Sequence, residues 1–352
     1  MKEVLRRLKR RNKLAYFALV ALLFLYLTAI FADFIAPYPY DLQNRTMCYA
    51  PPTKIHFTES NGRFHLRPFV YRYYLKDSIY RKYEEDKSRP YFIHLFHRGT
   101  KHRVFGVIPS QYYLFGVEAP AVLYLFGADL YGRDTFSRIL QGSRVSLSIG
   151  LVGVSISFFL GLLLGGISGY FGGKLDTFLM RTAELVMIFP GFYLMLALRA
   201  TFPTTLSTIQ VYLMIVVILS LIGWASLARI IRGMVLSLRE EDYVLAARAI
   251  GASNSRIILR HILPNTLSYT ITAATLSIPG YILGESALSL LGLGIQEPAA
   301  SWGNMLAAAI GNLQVVSHFP WVLIPGFFIF ITVMAFNFLG DGLRDVFDPR
   351  MW

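Results

Sequence analysis

Six stretches of mainly apolar residues divide the chain, and each is about as long as a bilayer is thick. A helix needs roughly 20 such residues to cross the hydrocarbon core. The pattern therefore predicts an all-α polytopic membrane protein with six transmembrane helices. Their expected bounds are 14–35, 145–170, 178–199, 209–228, 267–293 and 320–340.

The segment between the first two apolar stretches follows a different pattern. It is rich in tyrosine and phenylalanine, and RPYFIHLF (89–96) and HRVFGVIP (102–109) are typical of short strands around a turn at Arg98-Gly99. A small mixed α/β or β-rich domain is expected here, outside the membrane. The predicted organisation is a basic tail with the first helix (1–40), an external insertion domain (41–125) and a core with five helices (126–352).

Positive charge is concentrated at the N-terminus and in one internal loop. Residues 1–13 hold seven lysines and arginines against one glutamate, and 229–266 holds six arginines, whereas 294–319 holds none. Loops rich in Lys and Arg usually stay in the cytoplasm, while long segments such as 37–144 cross largely regardless of charge. Both termini are therefore expected in the cytoplasm. Directly before an apolar span, the basic tail indicates orientation rather than nucleic-acid binding.

Composition agrees with a membrane protein and excludes sites built from several cysteines. The chain is 55% hydrophobic and 16% charged, with a mean hydropathy of +0.48 and a net charge of +13. A single cysteine, Cys48, excludes an internal disulfide and a cysteine metal cluster. The histidines of the insertion lack the spacing of a metal site, so ordinary surface or strand histidines are expected.

The sequence offers no convincing catalytic motif. The nearest candidate for a nucleotide-binding loop is Gly172-Gly173-Lys174, but Ser168 stands where the earlier glycine belongs and Leu175 replaces the magnesium-binding Ser or Thr. The chain is therefore predicted to be neither an enzyme nor the holder of a cofactor. Any coupling to an energy source must come from another protein.

Two of the predicted spans contain glycines or polar residues in patterns that indicate more than membrane insertion. Gly161, Gly165 and Gly169 recur every four residues in the second span, a spacing that lets another helix approach closely. The fifth span is unusually polar, and a proline in it should bend the helix. Its polar face is expected either to line a translocation pathway or to make structural helix contacts; the candidate pathway residues are Ser277, Pro279, Glu285 and Ser286.

The polar stretch 240–264 lies between two predicted spans. Asp242 is positioned to cap a helix that runs to about Ile250, and Gly251 suits the left-handed residue that follows such a helix. A second short helix is expected to start at Ser253 and to be limited by Pro264. Val244, Ala247 and Ile250 should share a face. The spacing alone also fits a helix that lies on lipid headgroups.

The same stretch resembles the cytoplasmic signature of bacterial ABC importer permeases. Ala246-Ala247, Gly251 and Ile262-Leu263-Pro264 correspond to a motif of Glu-Ala-Ala, three residues, glycine, a spacer and Ile-x-Leu-Pro or a close variant. FGADLYGRDTFSRILQGSRVSL (126–147), ESALSLLGLGIQEPAASWGNML (285–306) and FNFLGDGLRDVFDPR (336–350) are similar to segments of the C-type subunit in the dipeptide/oligopeptide/nickel permease family. The family-motif residues in the first two are Gly127, Asp129, Gly132, Arg133, Asp134, Trp302, Gly303 and Asn304.

The resemblance covers residues 1–40 and 120–352 and implies a function. It implies the type I ABC importer permease fold, a location in the bacterial inner membrane, and cytoplasmic coupling helices that dock into an ATPase subunit. The implied partners are a homologous B-type permease, two ABC ATPases that bind ATP and Mg²⁺, an extracytoplasmic solute-binding protein and a peptide substrate. The coupling residues it implies are Asp242, Leu245, Ala246, Ala247, Gly251, Ile262 and Pro264.

One position departs from the family pattern. Leu245 stands where the signature has glutamate. Either the acids at 240–242 compensate, or the matching ATPase groove is more apolar than usual. The alternative function, an ion-gradient-driven secondary transporter or channel, explains Glu285 but leaves the 240–264 signature without a role. A membrane-anchored scaffold would need fewer spans.

Overall fold

The computed structural model describes residues 6, 8–10, 12–203, 205–311 and 313–347. The chain forms two compact units, which are described separately below. One comprises residues 1–22, 148–288 and 331–352, and the other residues 23–147 and 289–330. They are called the helical unit and the mixed unit.

Long helices dominate the order of elements. The first are α1 (Lys13–Ile30) and the short α2 (Ala32–Ile35), and after the strands come α3 (Thr135–Phe171), α4 (Gly173–Ile188), α5 (Gly191–Ala200), α6 (Thr208–Leu238), α7 (Asp242–Ala249), α8 (Asn254–Arg256), α9 (Leu263–Leu290), α10 (Trp302–Ile310), α11 (Leu313–His318) and α12 (Ile324–Phe347). A π-helical turn (Ile257–Ile262) precedes α9, and a 3₁₀ turn (Pro320–Leu323) precedes α12.

Within the described residues, four helical segments are long and apolar enough to cross a membrane. They are Lys13–Ile30, Thr135–Phe171, Thr208–Leu238 and Pro320–Phe347, and a bent pair formed by α4 and α5 raises the number to five if the pair is one span. The helix α9 has the length but falls short in hydropathy, because it carries many serines and threonines. A multi-pass helical membrane protein is thus confirmed.

The predicted span 178–199 is broken rather than continuous. The chain bends by 88° between α4 and α5, and Phe189 and Pro190 have extended backbone angles. Proline disfavours the helical conformation of the residue before it, and it also lacks the N–H that would continue the hydrogen-bond ladder. Pro190 therefore accounts for the break, which the apolar pattern alone did not show.

The mixed unit contains the strands. The first sheet has the order β1 (His56–Thr58), β2 (Phe64–Asp77) and β3 (Lys82–Phe92), and β4 (His94–Val104) pairs with β5 (Ile108–Gly116), all antiparallel. The turn predicted at Arg98-Gly99 is wrong, because these residues lie inside β4. Gly99 leaves room there for the ring of Tyr113, and the chain turns instead at Phe105-Gly106 with positive φ angles.

Buried apolar clusters hold each unit together. In the helical unit, Met180 and Ala183 of α4 pack against Trp224, Ala225 and Ala228 of α6. In the mixed unit, one cluster joins Tyr73 of β2 to loop residues, and another joins Val70 to Val117 and Leu123. Burial of this kind supplies most of the folding free energy, at roughly 25 cal/mol per Å² of apolar surface.

Candidate functional site

The stretch 240–264 begins with the short helix α7. Its N-cap is Glu241, so Asp242 is the first helical residue and not the cap that the sequence predicted. The helix ends in a Schellman motif: Gly251 has φ +81°, its N–H donates to the carbonyl of Arg248 at 3.0 Å, and the Ala252 N–H donates to Ala247 at 3.0 Å. Glycine favours this conformation because it has no Cβ.

The signature residues of α7 divide between two faces. Val244 and Ala247 are buried, whereas Leu245 is 42% exposed and Ala246 is also exposed. Ile250 was expected to share the buried face, but it is 85% exposed, because the helix ends at Ala249 and the chain turns away there. The outward surface of this stretch therefore includes apolar side chains beside its exposed charged residues.

Pro264 does not end a helix. It is the second residue of α9, and the π-helical turn Ile257–Ile262 runs directly into that helix. A proline is tolerated in the first turn of a helix, where its missing N–H would have no intrahelical partner in any case. Ile262 is fully buried. The second half of the stretch is thus continuous with the long helix α9.

Side-chain contacts fix the stretch to the end of α3 and the start of α9. Tyr170 of α3 donates a hydrogen bond to Asn254 at 2.9 Å, and the guanidinium of Arg248 lies over the Tyr170 ring, 5.6 Å from its centroid. Asn265 of α9 donates to the hydroxyl of Tyr243 at 3.1 Å. These contacts couple the position of α7 to two long helices.

An ion pair that the sequence analysis missed joins α4 to α6. Arg232 donates to both carboxylate oxygens of Asp176, at 2.5 and 2.6 Å, and Ser168 donates to the same carboxylate. Arg239 donates to the carbonyl of Gly169 at 3.2 Å. The arginines of 229–266 are visible in the sequence, but their pattern indicates only the orientation of the loop and not the partners of Arg232 and Arg239.

The three glycines of α3 lie on the face that contacts α6. A Cβ on Gly161 would lie 2.7 Å from Leu227, and one on Gly169 would lie 2.8 Å from the carbonyl oxygen of Arg232. At Gly165 the nearest atom is the carbonyl oxygen of Ala228, which is backbone and cannot move aside. The two helices approach closely because these positions lack side chains.

Most hydroxyl groups on the polar face of α9 form hydrogen bonds within the helix itself. Hydroxyl groups donate to the carbonyl four residues earlier at five positions: Thr270, Thr272, Thr275, Ser277 and Ser286. Such back-bonding lets a helix carry Ser and Thr at low cost in an apolar environment. The helix also continues through Pro279.

A cavity of about 570 Å³ adjoins α9 in the helical unit. Its lining includes Ser277 and Tyr281 of α9, Met195 of α5 and Gly223 of α6. Glu285 is fully buried and Ser286 is 5% exposed; neither is among the lining residues. Of the candidate pathway residues, Ser277 alone lies on the cavity wall.

Tyr281 is a residue that the sequence analysis missed. Its hydroxyl lies 2.5 Å from the hydroxyl of Ser157, which donates to the carbonyl of Ser220 at 3.0 Å. This buried network joins α3, α6 and α9 beside the cavity. The signal in the sequence was a tyrosine directly after Pro279-Gly280 in the polar fifth span.

In the mixed unit, the family motifs form one ion-pair network. Arg133 donates to Asp129 at 2.6 Å and to Glu297 at 2.5 and 3.1 Å, and Arg138 donates to Glu297 at 3.0 Å. Both arginines are buried, at 4% and 1% exposure, while the Glu297 side chain is 41% exposed. The network lines a cavity of about 220 Å³.

The remaining motif residues support this network. Asp134 accepts hydrogen bonds from the backbone N–H and the hydroxyl of Ser137 at the start of α3, and burial raises the pKa of its carboxyl to about 7 despite those bonds. Gly127 and Gly132 both have φ +70°, and a Cβ on Gly132 would collide with the carbonyl oxygen of Asn44. The local chain conformation requires glycine at both positions.

The other family-motif residues, Trp302, Gly303 and Asn304, lie at the start of α10. Trp302 is fully buried, and its indole N–H donates to the carbonyl of Ile139 at 3.1 Å. Asn304 forms a capping box with Ser301 and donates to the carbonyls of Ile295 and Ala299. Gly303 is buried beside them. These bonds hold the loop that carries Glu297.

No group of three or more metal-ligating side chains occurs in the described part of the chain. The histidines of the insertion make other contacts there. His56 lies 3.0 Å from Glu85, His65 lies 2.6 Å from Glu59, and His102 stacks on Tyr113.

Comparison with known proteins identifies the family. A model described as "binding-protein-dependent transport system inner membrane component" matches residues 161–352. A second, described as "N-terminal TM domain of oligopeptide transport permease C", matches residues 1–52. A crystal structure of an amino acid ABC transporter with histidines has a TM-score of 0.42 and 16% identity, over 59% of this chain and 92% of that one.

Curated relatives agree with the family models. The oligopeptide transport system permease protein OppC of Haemophilus influenzae is 43% identical over 64% of this chain and 70% of its own length. The dipeptide transport system permease protein DppC of Bacillus subtilis is 42% identical over 66% of this chain and 70% of its own length. These matches confirm the resemblance inferred from the motifs. The chain belongs to the family of binding-protein-dependent transport system inner membrane components, in which it is a C-type subunit of the peptide ABC permeases.

Proposed function

We propose that this subunit carries di- or oligopeptides across the bacterial cytoplasmic membrane, driven by ATP hydrolysis on separate ATPase subunits. The observation that carries the proposal is the stretch 240–264. It presents Leu245 and Ile250 on its outward surface, ends its first helix at a left-handed glycine, and continues without a break into α9. The relatives named above, which are peptide transport permeases, support the substrate class.

The proposed topology has six spans with both termini in the cytoplasm. The four apolar segments supply the first, second, fourth and sixth spans, the bent pair α4–α5 supplies the third, and α9 supplies the fifth. Residues 41–125 then lie outside as an insertion domain, and 240–264 lies in the cytoplasm. The arginines of that loop support this orientation.

The proposed complex contains three further kinds of subunit. They are a B-type permease in a heterodimer with this chain, two ABC ATPases that bind ATP and Mg²⁺, and a solute-binding protein outside. This chain itself binds no cofactor in the proposed mechanism. Its membership of a binding-protein-dependent transport family supports the ATPase and binding-protein partners.

In the proposed mechanism, α7 and the π-helical turn act as a lever. ATP-driven closure of the ATPases displaces the outward surface of α7, and the contacts of Tyr170 and Asn265 pass the displacement to α3 and α9. The helix α9, about 42 Å long at 1.5 Å per residue, carries it to Tyr281 and the cavity beside it. Alternating access follows if ATP and the loaded binding protein favour different states.

Uptake in proteoliposomes tests the proposed function. The purified complex should accumulate labelled peptide only when ATP, both ATPases and the binding protein are present. An imposed proton or sodium gradient should not substitute for ATP. Gradient-driven uptake without the ATPases would instead establish the secondary transporter.

Leu245→Glu is expected to weaken coupling. The outward surface of the stretch also includes Ile250 and Leu259, at 85% and 61% exposure, so the matching groove of the ATPase should be apolar and a buried glutamate would be poorly solvated there. We expect a several-fold lower affinity for the ATPase, measured by co-purification and by ATP-dependent uptake.

Leu66→Glu provides the matched control for this substitution. Leu66 is 89% exposed on β2 of the mixed unit, so the same change there should leave ATPase binding intact. Unchanged or improved binding of the Leu245→Glu subunit would favour compensation by the acids at 240–242 instead.

Glu285→Gln is expected to lower uptake while the subunits still assemble. Glu285 is fully buried in α9, and a carboxylate at such depth is costly unless it serves a pathway or a partner helix. Glutamine keeps the size and removes the charge, so peptide uptake and complex assembly are measured separately. Glu118→Gln, at an exposed carboxylate of the mixed unit, is the control. Unchanged uptake and assembly would remove Glu285 from the proposed pathway.

A further inference from the structure

The β4–β5 hairpin lies against the end of the first membrane helix. The backbone N–H of Phe105, at the tip of the hairpin, donates to Asp33 of α2 at 2.9 Å. The rings of Phe31 and Phe105 are in edge contact at 5.6 Å, and those of Phe34 and Phe96 are 6.2 Å apart. The hairpin is therefore attached to the chain just beyond α1.

A second set of contacts fixes that attachment. Arg144 of α3 holds the Asp33 carboxylate with hydrogen bonds of 2.9 and 3.0 Å, and it also donates to the carbonyl of Ala29 at 2.7 Å. Asp33 thus joins the hairpin tip to α3, and Arg144 joins both to the end of α1. This arrangement sets the height of the tip relative to α1.

That height coincides with the edge of the bilayer. The helix α1 has 18 residues, which span about 27 Å at 1.5 Å per residue. A hydrocarbon core of about 30 Å that begins near Lys13 therefore ends close to Phe31 and Phe34. These are the residues that the hairpin contacts, so the tip lies at the boundary between hydrocarbon and headgroups.

The exposed surface of the hairpin suits this position. Phe96, Val107 and Ile108 are 62%, 76% and 57% exposed, and Phe105 is 46% exposed. They adjoin the exposed surface at the end of α1, where Leu27, Ile30 and the following Phe31 are 53%, 49% and 44% exposed. Exposed apolar patches of this kind mark protein or membrane contacts, and here the patch continues the surface that α1 presents to lipid.

The charges of the hairpin favour lipid as the partner. Residues 92–117 contain Arg98, Lys101 and Arg103 and no aspartate or glutamate. Basic side chains near a bilayer surface are attracted to anionic lipid headgroups. A hairpin that combines apolar tips with basic strands has the composition of an interfacial membrane anchor.

We propose that the β4–β5 hairpin is an interfacial anchor, whose tip Phe105–Ile108 is immersed in the headgroup and upper acyl region of the bilayer next to α1. Arg98, Lys101 and Arg103 face anionic lipid headgroups. The hairpin then fixes the insertion domain against the membrane surface, independently of which solute the permease carries.

Spin-label accessibility tests the anchor. The single cysteine makes a cysteine-free background possible through Cys48→Ser, to which Val107→Cys is added and labelled with a nitroxide. The complete permease complex is reconstituted into phosphatidylcholine bilayers with a minority of phosphatidylglycerol. The label at 107 should collide readily with oxygen and rarely with a water-soluble nickel chelate, as lipid-immersed labels do.

Leu66→Cys in the same background is the matched control, because Leu66 on β2 is also largely exposed, at 89%. Its label should show the reverse pattern, and Ile108→Cys should repeat the result at 107. The anchor is overturned if labels at 107 and 108 meet the nickel chelate as often as the label at 66. It is also overturned if both are shielded from both reagents, since a protein partner then covers the tip.

Discussion

Valine in place of Gly251 is expected to lower ATP-driven uptake by about tenfold or more, while the subunit still folds and inserts. Gly251 has φ +81°, a conformation that a β-branched residue rarely adopts. A Cβ there meets nothing within 4 Å, so the effect is backbone strain and not a clash. Strain of about 1–3 kcal/mol should displace the end of α7 and break its two closing hydrogen bonds.

Two variants separate coupling from a general loss of stability. Gly62 has φ +85° and equally open space in the mixed unit, so Gly62→Val imposes similar strain away from the coupling stretch and should leave uptake normal. Gly251→Asn should restore much of the activity, because asparagine tolerates the left-handed conformation. ATPase co-purification and peptide uptake are the measurements. Equal defects in Gly62→Val and Gly251→Val would contradict the coupling role.

Arg138→Met is expected to destabilise the mixed unit by about 3 kcal/mol. Removing one partner of a buried ion pair typically costs about 3–5 kcal/mol, because the charge left behind loses its compensation. The lower end applies, since Glu297 keeps its hydrogen bonds to Arg133 and its side chain is 41% exposed, so water can reach it. Methionine fills similar volume, so the change tests the charge more than the packing.

Thermal unfolding of the purified subunit in detergent measures this effect. Arg181→Met is the control, because Arg181 pairs with Glu184 at 2.7 Å on an exposed helix face and such pairs contribute about 0–1 kcal/mol. The Arg138→Met midpoint should fall by several degrees and the Arg181→Met midpoint should hardly move. Equal shifts would show that the network around Glu297 contributes no more than a surface pair.

The helical membrane class and several local features could be predicted from sequence because they depend on neighbouring residues. A run of about 20 apolar residues is costly to expose to water wherever it occurs, so the four apolar segments were located correctly. Gly251 was also predicted as the left-handed residue after α7, since the chemistry of a helix end lies within a few positions.

Predictions from local sequence patterns were wrong where tertiary contacts determined the position or exposure of a residue. Ile250 fits the periodicity of the buried face of α7, yet the turn after Ala249 exposes it. Gly99 was predicted as a turn residue, yet it gives room to the ring of Tyr113 within a strand. In both cases the role of the residue depended on residues that the pattern did not include.

The amino-acid order determined the membrane class, the helix end at Gly251 and the family, because hydrophobic runs, helix ends and short motifs are properties of adjacent residues. The fold alone brought Arg138 to Glu297, which lie 159 positions apart, and Ser157 to Tyr281, which lie 124 positions apart. It also seated Phe105 against Phe31 at the end of α1. Such pairs have no signature in a single sequence, because their contact depends on how the intervening helices and strands pack.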